Sequence, residues 1–203
     1  EILCMITSCF IWMEEKLMAL TKLNFGGKQQ ALVAANIPTV TGTHMPAGSV
    51  LQVQQTTKTD SFTTNSTSYV DITGLSVSIT PSSTSSKILF MADLNVGGAN
   101  AVDANHVYVR MVRGSTAINI GDARSNRERG THVVNTAIAG QTFPTSSCFL
   151  DSPSSTSAVT YKMQMKSSTN GETGSLNRSG RDTDNAQHDG TSASTITVME
   201  IKG

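Results

Sequence analysis

The stretch 75–96, LSVSITPSSTSSKILFMADLNV, constrains the fold of this chain more than any other. Leu75, Val77 and Ile79 alternate with Ser76, Ser78 and Thr80. Side chains on a strand switch sides at each residue, so this is a strand with one apolar face. Pro81 has no N–H to give a ladder and stops it. Residues 82–86 are small and polar and suit a tight connection, which predicts a hairpin. Beyond it, Ile88, Phe90, Ala92, Leu94 and Val96 share one face, and Leu89, Met91, Asp93 and Asn95 share the other. A fully apolar face backed by a half-apolar one predicts a central strand of a two-sheet sandwich, or one that also touches another subunit.

The same signal recurs from Ser49 onward. Residues 50–55, Phe62, 69–72, 107–112, 116–120, 131–138 and 147–150 read as further strands. In 159–166, Val159, Tyr161, Met163 and Met165 alternate with Thr160, Lys162, Gln164 and Lys166, giving one core face and one wet face. The last strand, 194–202, is apolar on both sides through Ile196, Val198, Met199 and Ile201. Such a strand at an open edge would invite aggregation, so it belongs inside a sheet or against neighbouring subunits. Short strands at even spacing with turn residues between them predict an all-β, antiparallel sandwich or barrel over 48–203.

Residues 1–13 are apolar but shorter than the ~20 needed to span a bilayer. They carry Glu1 where a signal peptide carries positive charge, and residues 1–17 read as a doubtful upstream or frayed segment. Residues 18–47 form a separate N-terminal segment, short and partly helical or extended. Residues 29–35 suit two helical turns, and 37–48, with Pro38, Gly42 and Pro46, reads as an extended linker. Leu20, Leu23, Phe25, Leu32 and Val33 make no core of their own, so this segment is expected either to attach to partner proteins or to be a disordered tail.

Fifteen Lys plus Arg balance fifteen Asp plus Glu, so no long-range field recruits nucleic acid or an anionic membrane. The three cysteines form no even framework, and Cys148 reads as a small buried apolar residue in a strand. The core and self-association are therefore expected to hold the fold.

Chemical motifs are scarce. No phosphate-binding loop, H-E-x-x-H or G-x-S-x-G elbow occurs, and His44, His106, His132 and His188 lack ligand spacing. These absences argue against an enzyme. GDARSNRERG, 121–130, gathers Arg124, Asn126, Arg127 and Arg129 with Asp122 and Glu128. Arg and Asn bind hydroxyl and carboxylate groups through paired hydrogen bonds, so these four, with Arg178 and Arg181, are the candidate receptor or glycan contacts. RDTDNAQHDG, 181–190, offers the oxygen donors Asp182, Asp184 and Asp189, with Asn185, for a Ca²⁺ ion. It lacks the fixed glycine and closing glutamate of an EF-hand.

GSVLQVQQT (48–56), YVDITGLSVSITPSSTSSKIL (69–89), VYVRMVRGSTAINIGDA (107–123), FLDSPSSTSAVTYKMQ (149–164) and STITVMEI (194–201) resemble a family of virion structural proteins of tailed bacteriophages, many of them marine. Such proteins are often labelled fibre or tail proteins. MALTKLNFGGKQQALVAANIP (18–38) resembles their N-terminal segment, so the match runs from Met18 to Gly203. The resemblance implies a jelly-roll head like those of C1q and tumour-necrosis-factor proteins. It also implies a homotrimer with the C-terminal strand in the inner sheet, location in the virion, and loops that touch the host surface. The alternative open at this level is a secreted or cell-surface glycan-binding module of a bacterium. A third is a polysaccharide-degrading hydrolase, which would need an acidic cleft.

Overall fold

The computed structural model describes residues 22–25, 28–31, 41–98, 106–136, 140–168, 172–187 and 189–203. The chain divides into two units, Glu1–His44 and Met45–Gly203. In the first, β1 (Lys22–Phe25) and β2 (Lys28–Ala31) pair antiparallel as a hairpin. The expected helical turns over 29–35 are therefore replaced by strand as far as Ala31, and 32–35 lie outside the described residues. Linker residues Gly42–His44 form a 3-10 turn, closed by a 2.9 Å contact between Thr41 Oγ1 and His44 Nδ1. Residues 1–21 also lie outside the described ones.

The second unit carries β3 (Val50–Lys58), β4 (Phe62–Thr64), β5 (Val70–Ile79), β6 (Lys87–Gly98), β7 (His106–Arg113), β8 (Thr116–Ile118), β9 (His132–Asn135), β10 (Thr142–Asp151), β11 (Val159–Ser167), β12 (Gly174–Leu176) and β13 (Ser194–Ile201). Its plan is a set of nested antiparallel pairs: β3 with β13, β5 with β11, β6 with β10, and β7 with β8 and β9. Rolling that ribbon up brings β13 against β6 in one sheet and β11 against β7 in the other. The result is an antiparallel jelly roll. Sheet I runs β10-β6-β13-β3, with the β12–β4 pair in line with β13 and β3. Sheet II runs β5-β11-β7 and ends in β8 and β9.

This topology corrects the expected hairpin at 75–96. β5 lies in sheet II and β6 in sheet I, so residues 80–86 cross between the sheets. The crossing is held from across the chain by Glu200, which is 1% exposed. Its carboxylate accepts from Ser82 N (2.7 Å), Ser82 Oγ (2.6 Å), Ser86 Oγ (2.7 Å) and Gln52 Nε2 (2.6 Å). Likewise 69–72 and 75–80 belong to one strand with an irregular middle. Asp71 faces Gln164 and Ser76 faces Lys162, so four residues oppose Met163 alone. Gly74 permits that excursion at φ +82°, a conformation costly for any residue with a Cβ.

The core lies between the sheets. Ile88, Phe90, Ala92, Leu94 and Val96 of β6 are all buried, facing Val107, Val109 and Met111 of β7 and Tyr161, Met163 and Met165 of β11. Phe90 and Tyr161 meet edge to face, ring centres 5.3 Å apart. Burying each such side chain stabilises the fold by about 1.5–3 kcal/mol. β13 is interior to sheet I, as its two apolar faces require. Its Ile196 and Val198 are fully buried.

Cys148 departs from expectation, for it is exposed. Phe149 pairs with Phe90 and points inward, so its neighbour Cys148, paired with Met91, points out.

Candidate functional sites on the sheet faces and loops

Three surface features follow from this frame. The first is the loop 119–131, which joins β8 to β9 at the edge of sheet II. Asn119 and Ser125 take left-handed backbone, φ 51° and 48°, which turns the loop sharply. Its base is tied by Thr131 N to Val109 O (2.9 Å) and by Arg129 Nε to Gly121 O (2.6 Å). The outer face of sheet II holds it further. Tyr69 donates its hydroxyl to Arg129 O (2.7 Å), and Lys166 pairs with Glu128 at 2.8 Å. Arg110 lies over the Tyr69 ring, 3.9 Å from its centre, and Lys166 sits about midway between Tyr69 and Tyr108, 5.4 and 5.3 Å from their rings. Such cation–ring contacts contribute about 0.5–1 kcal/mol each at partly exposed sites. Burial, then the nearby Glu128 charge, raise the Tyr69 pKa, so its phenol stays protonated and keeps donating.

Sheet II carries a second polar chain. Asp71 accepts from Lys162 Nζ and Gln164 Nε2, both at 2.7 Å, and Gln164 accepts from Arg110 Nε at 2.8 Å. Those two donors to Asp71, Lys162 first, hold its carboxyl below the ordinary value. Every residue of 121–129 is exposed. Arg124, Asn126 and Arg127 thus stand at the tip of an anchored loop, while Arg129 is committed to its base.

The second feature is a pocket of about 280 Å³ formed by the β12–β13 connection and residues 59–61. It gathers Arg178, Asp182, Asp184 and Asp189, which the sequence singled out, with Asp60 and Asn177, which it did not. Arg178 pairs with Asp182 at 2.8 Å. Asp189 accepts from Ser179 Oγ (2.7 Å), Thr183 N (3.0 Å) and Thr183 Oγ1. The Thr183 and Ser179 hydroxyls drive its pKa down to about 2. Asn177 is the hub: its Nδ2 donates to Lys58 O (2.8 Å) and Asp60 O (3.0 Å), and its Oδ1 accepts from Ser194 Oγ (2.6 Å). Left-handed backbone at Asn177, φ 65°, is a conformation Asn tolerates.

Arg181 is exposed and does not line this pocket. Its guanidinium lies beside Gly140, where a Cβ would come within 2.6 Å of Nη2. The six candidate contact residues therefore divide between two separate segments. As for Ca²⁺, no three His, Cys, Asp or Glu side chains among the described residues come together as a ligand set. Asp182 and Asp189 are engaged by protein donors, and His188 lies outside the described residues.

The third feature is the outer face of sheet I. Leu150 faces Leu89, Leu89 faces Met199, and Met199 faces Val53, so one apolar row crosses four strands. Leu150 and Val53 are 47% and 49% exposed. Beside the row, Met91 and Cys148 border a shallow groove of about 420 Å³. Toward the far end the face turns polar, with Gln55 bonded to Thr197 (3.0 Å) and Ser146 to Asp93 (3.0 Å).

Little of this resembles catalytic machinery. His132 Nε2 and Ser147 Oγ share a hydrogen bond, but no carboxylate among the described residues orients the imidazole as a triad would require. Asp151 is bound by Arg113 (2.7 Å) and Tyr161 (2.7 Å) inside the domain, where it serves packing.

No family model matches the chain. No curated protein matches it either. Among solved structures it is similar to a mutant VP2 protein of infectious bursal disease virus in derived T=1 particles, at TM-score 0.41 and 10% identity over 89% of this chain and 44% of that one. The VP2 subviral particle of the same virus gives TM-score 0.34 and 12% identity over 74% and 41%. The chain thus spans less than half the length of either.

Proposed function

We propose that this chain is a non-enzymatic structural protein of a bacteriophage particle, a fibre or decoration protein whose jelly-roll head contacts the host surface. The reading rests first on the resemblance of 18–203 to phage virion proteins. The observation that carries it further is the contrast between the two outer faces. One bears an apolar row suited to burial, and the other an anchored, arginine-tipped loop suited to contact. The head assembles as a homotrimer through Leu89, Met199 and Val53. The segment 18–47 attaches it to other virion proteins. Arg124, Asn126 and Arg127 meet hydroxyl or carboxylate groups of a host glycan, with Arg178 and Arg181 as a second contact.

A labelled antibody against the head, imaged on intact particles, tests the reading together with binding of the full chain to host cells. Decorated particles, and at least tenfold weaker cell binding by the Arg124→Ala/Arg127→Ala variant, are expected. Bare particles, or unchanged binding by that variant, would overturn the corresponding half.

A further inference from the structure

An exposed strand edge is a template for another strand, and proteins blunt it with charge, bulges, proline or short length. The edges of this domain differ sharply in that respect. β3 and β5 each carry a register irregularity, between Gln52 and Val50 and around Gly74. β4, β8 and β9 have three, three and four residues. β10 is the exception. Its ten residues pair with β6 one for one without a slip, and no strand among the described residues pairs its other side.

β10 reads TFPTSSCFLD. Its one charge, Asp151, is buried and held by Arg113 and Tyr161. Its one blunting device is Pro144, near the start. A proline is tolerated in a strand where its missing N–H faces away from the partner. Residues two apart present their backbone groups to the same side, so Ser146, Cys148 and Leu150 aim three N–H and three C=O groups at the open side. The inward side chains Phe143 and Phe149 are only partly buried against the core, and the Thr145 hydroxyl is buried without a partner. The rim is thus unfinished as well as unprotected.

We propose that β10 pairs antiparallel with β10 of a second copy about a two-fold axis, joining two copies of sheet I edge to edge. The occupant follows from chemistry. Residues 142–150 are uncharged, so the edge repels itself nowhere and meets itself as well as any neutral strand. With the axis at Cys148, Ser146 faces Leu150 of the mate, and six backbone hydrogen bonds close the gap. The apolar row ending at Leu150 then abuts Ser146 of the mate, so backbone pairing and not the apolar row joins the two edges. This pairing is independent of the trimer proposed above and doubles whatever unit that contact makes.

Sedimentation equilibrium of the full chain at micromolar to hundred-micromolar concentration tests it, alongside hydrogen exchange. Cys148→Lys places like charges directly opposite across the axis. It should halve the limiting mass and speed exchange at Ser146, Cys148 and Leu150 by at least tenfold, while Cys148→Ser keeps the parental mass. Gln55→Lys, on the outer face near the opposite edge, should also keep it. Circular dichroism establishes that each variant is folded. Trimer falling from hexamer and monomer falling from dimer both support the edge pairing, and tell whether the trimer itself exists. A folded Cys148→Lys variant of unchanged mass would overturn the proposal. So would fast exchange at those amides in the parent, or slow exchange in a parent that never doubles.

Discussion

The two outer faces of this jelly roll are built to the same pleat and hold opposite chemistry. On sheet II, Asp71, Lys162, Gln164, Arg110 and Tyr69 form a linked polar network beneath an arginine loop. On sheet I the matching positions are Leu150, Leu89, Met199 and Val53, in one row and without charge. A charged, internally satisfied face loses little by staying in water. An apolar row gains by leaving it, at roughly 25 cal/mol per Å². In the function proposed above, the first face stays in solvent for contact and the second meets a partner.

That contrast presupposes one shared core, and the largest effect expected is there. Phe90→Ala should cost about 3–5 kcal/mol by urea unfolding. Met91→Ala, one residue away but on the outer face, should cost under about 1 kcal/mol. Equal losses would dissolve the distinction between inner and outer faces.

The crossing between the sheets comes next. Glu200→Leu strands the donors of Ser82, Ser86 and Gln52 and should cost about 2 kcal/mol. Burial raises the Glu200 pKa, but hydrogen bonds from Ser82, Gln52 and Ser86 outweigh it and leave the group below its ordinary value of 4.5. A carboxyl with a depressed folded pKa stabilises above its unfolded pKa and loses that contribution as pH falls through the folded value. Stability should therefore drop below about pH 4.5, with a shallower slope in Glu200→Gln. An identical slope in that variant would remove Glu200 from the account.

Sheet II offers a smaller effect. Arg110→Met removes the contact on Tyr69 and the bond to Gln164, and should cost about 0.5–1 kcal/mol. Its sharper readout is trypsin cleavage after Arg124 and Arg127, which should quicken as the loop loosens. Least of all in stability, Met199→Lys should move unfolding by about 0.5 kcal/mol or less, yet cut the assembled mass to one third.

Much of the fold was legible because alternation reports which face a side chain takes. The inward sets of β6, β7 and β11 emerge from periodicity alone. Alternation does not report which strand lies alongside, so 75–96 read as a hairpin. The clamp that splits it, Glu200, is 114 residues from Ser86. Cys148 was misplaced by composition, although its parity with Phe149 carried the answer. Residues 29–31 pair as strand with β1 because two short segments close in sequence can satisfy each other's backbone groups, where two helical turns alone are marginal in water. β12 has three residues, too few for any period to register. At the sites, Arg124, Asn126 and Arg127 share one exposed loop because they are neighbours in sequence. Sequence proximity could not reveal that Asp182 and Asp189 face protein donors, or that Asn177 ties their loop to β3.

The most direct test is hydroxyl-radical footprinting of the assembled full chain against its Met199→Lys variant. Protection of Leu89, Met199 and Val53 in the assembly, with Tyr108 and residues 124–127 labelled equally in both, is the predicted result. Labelled sheet I residues and a protected arginine loop would contradict the assignment of the two faces.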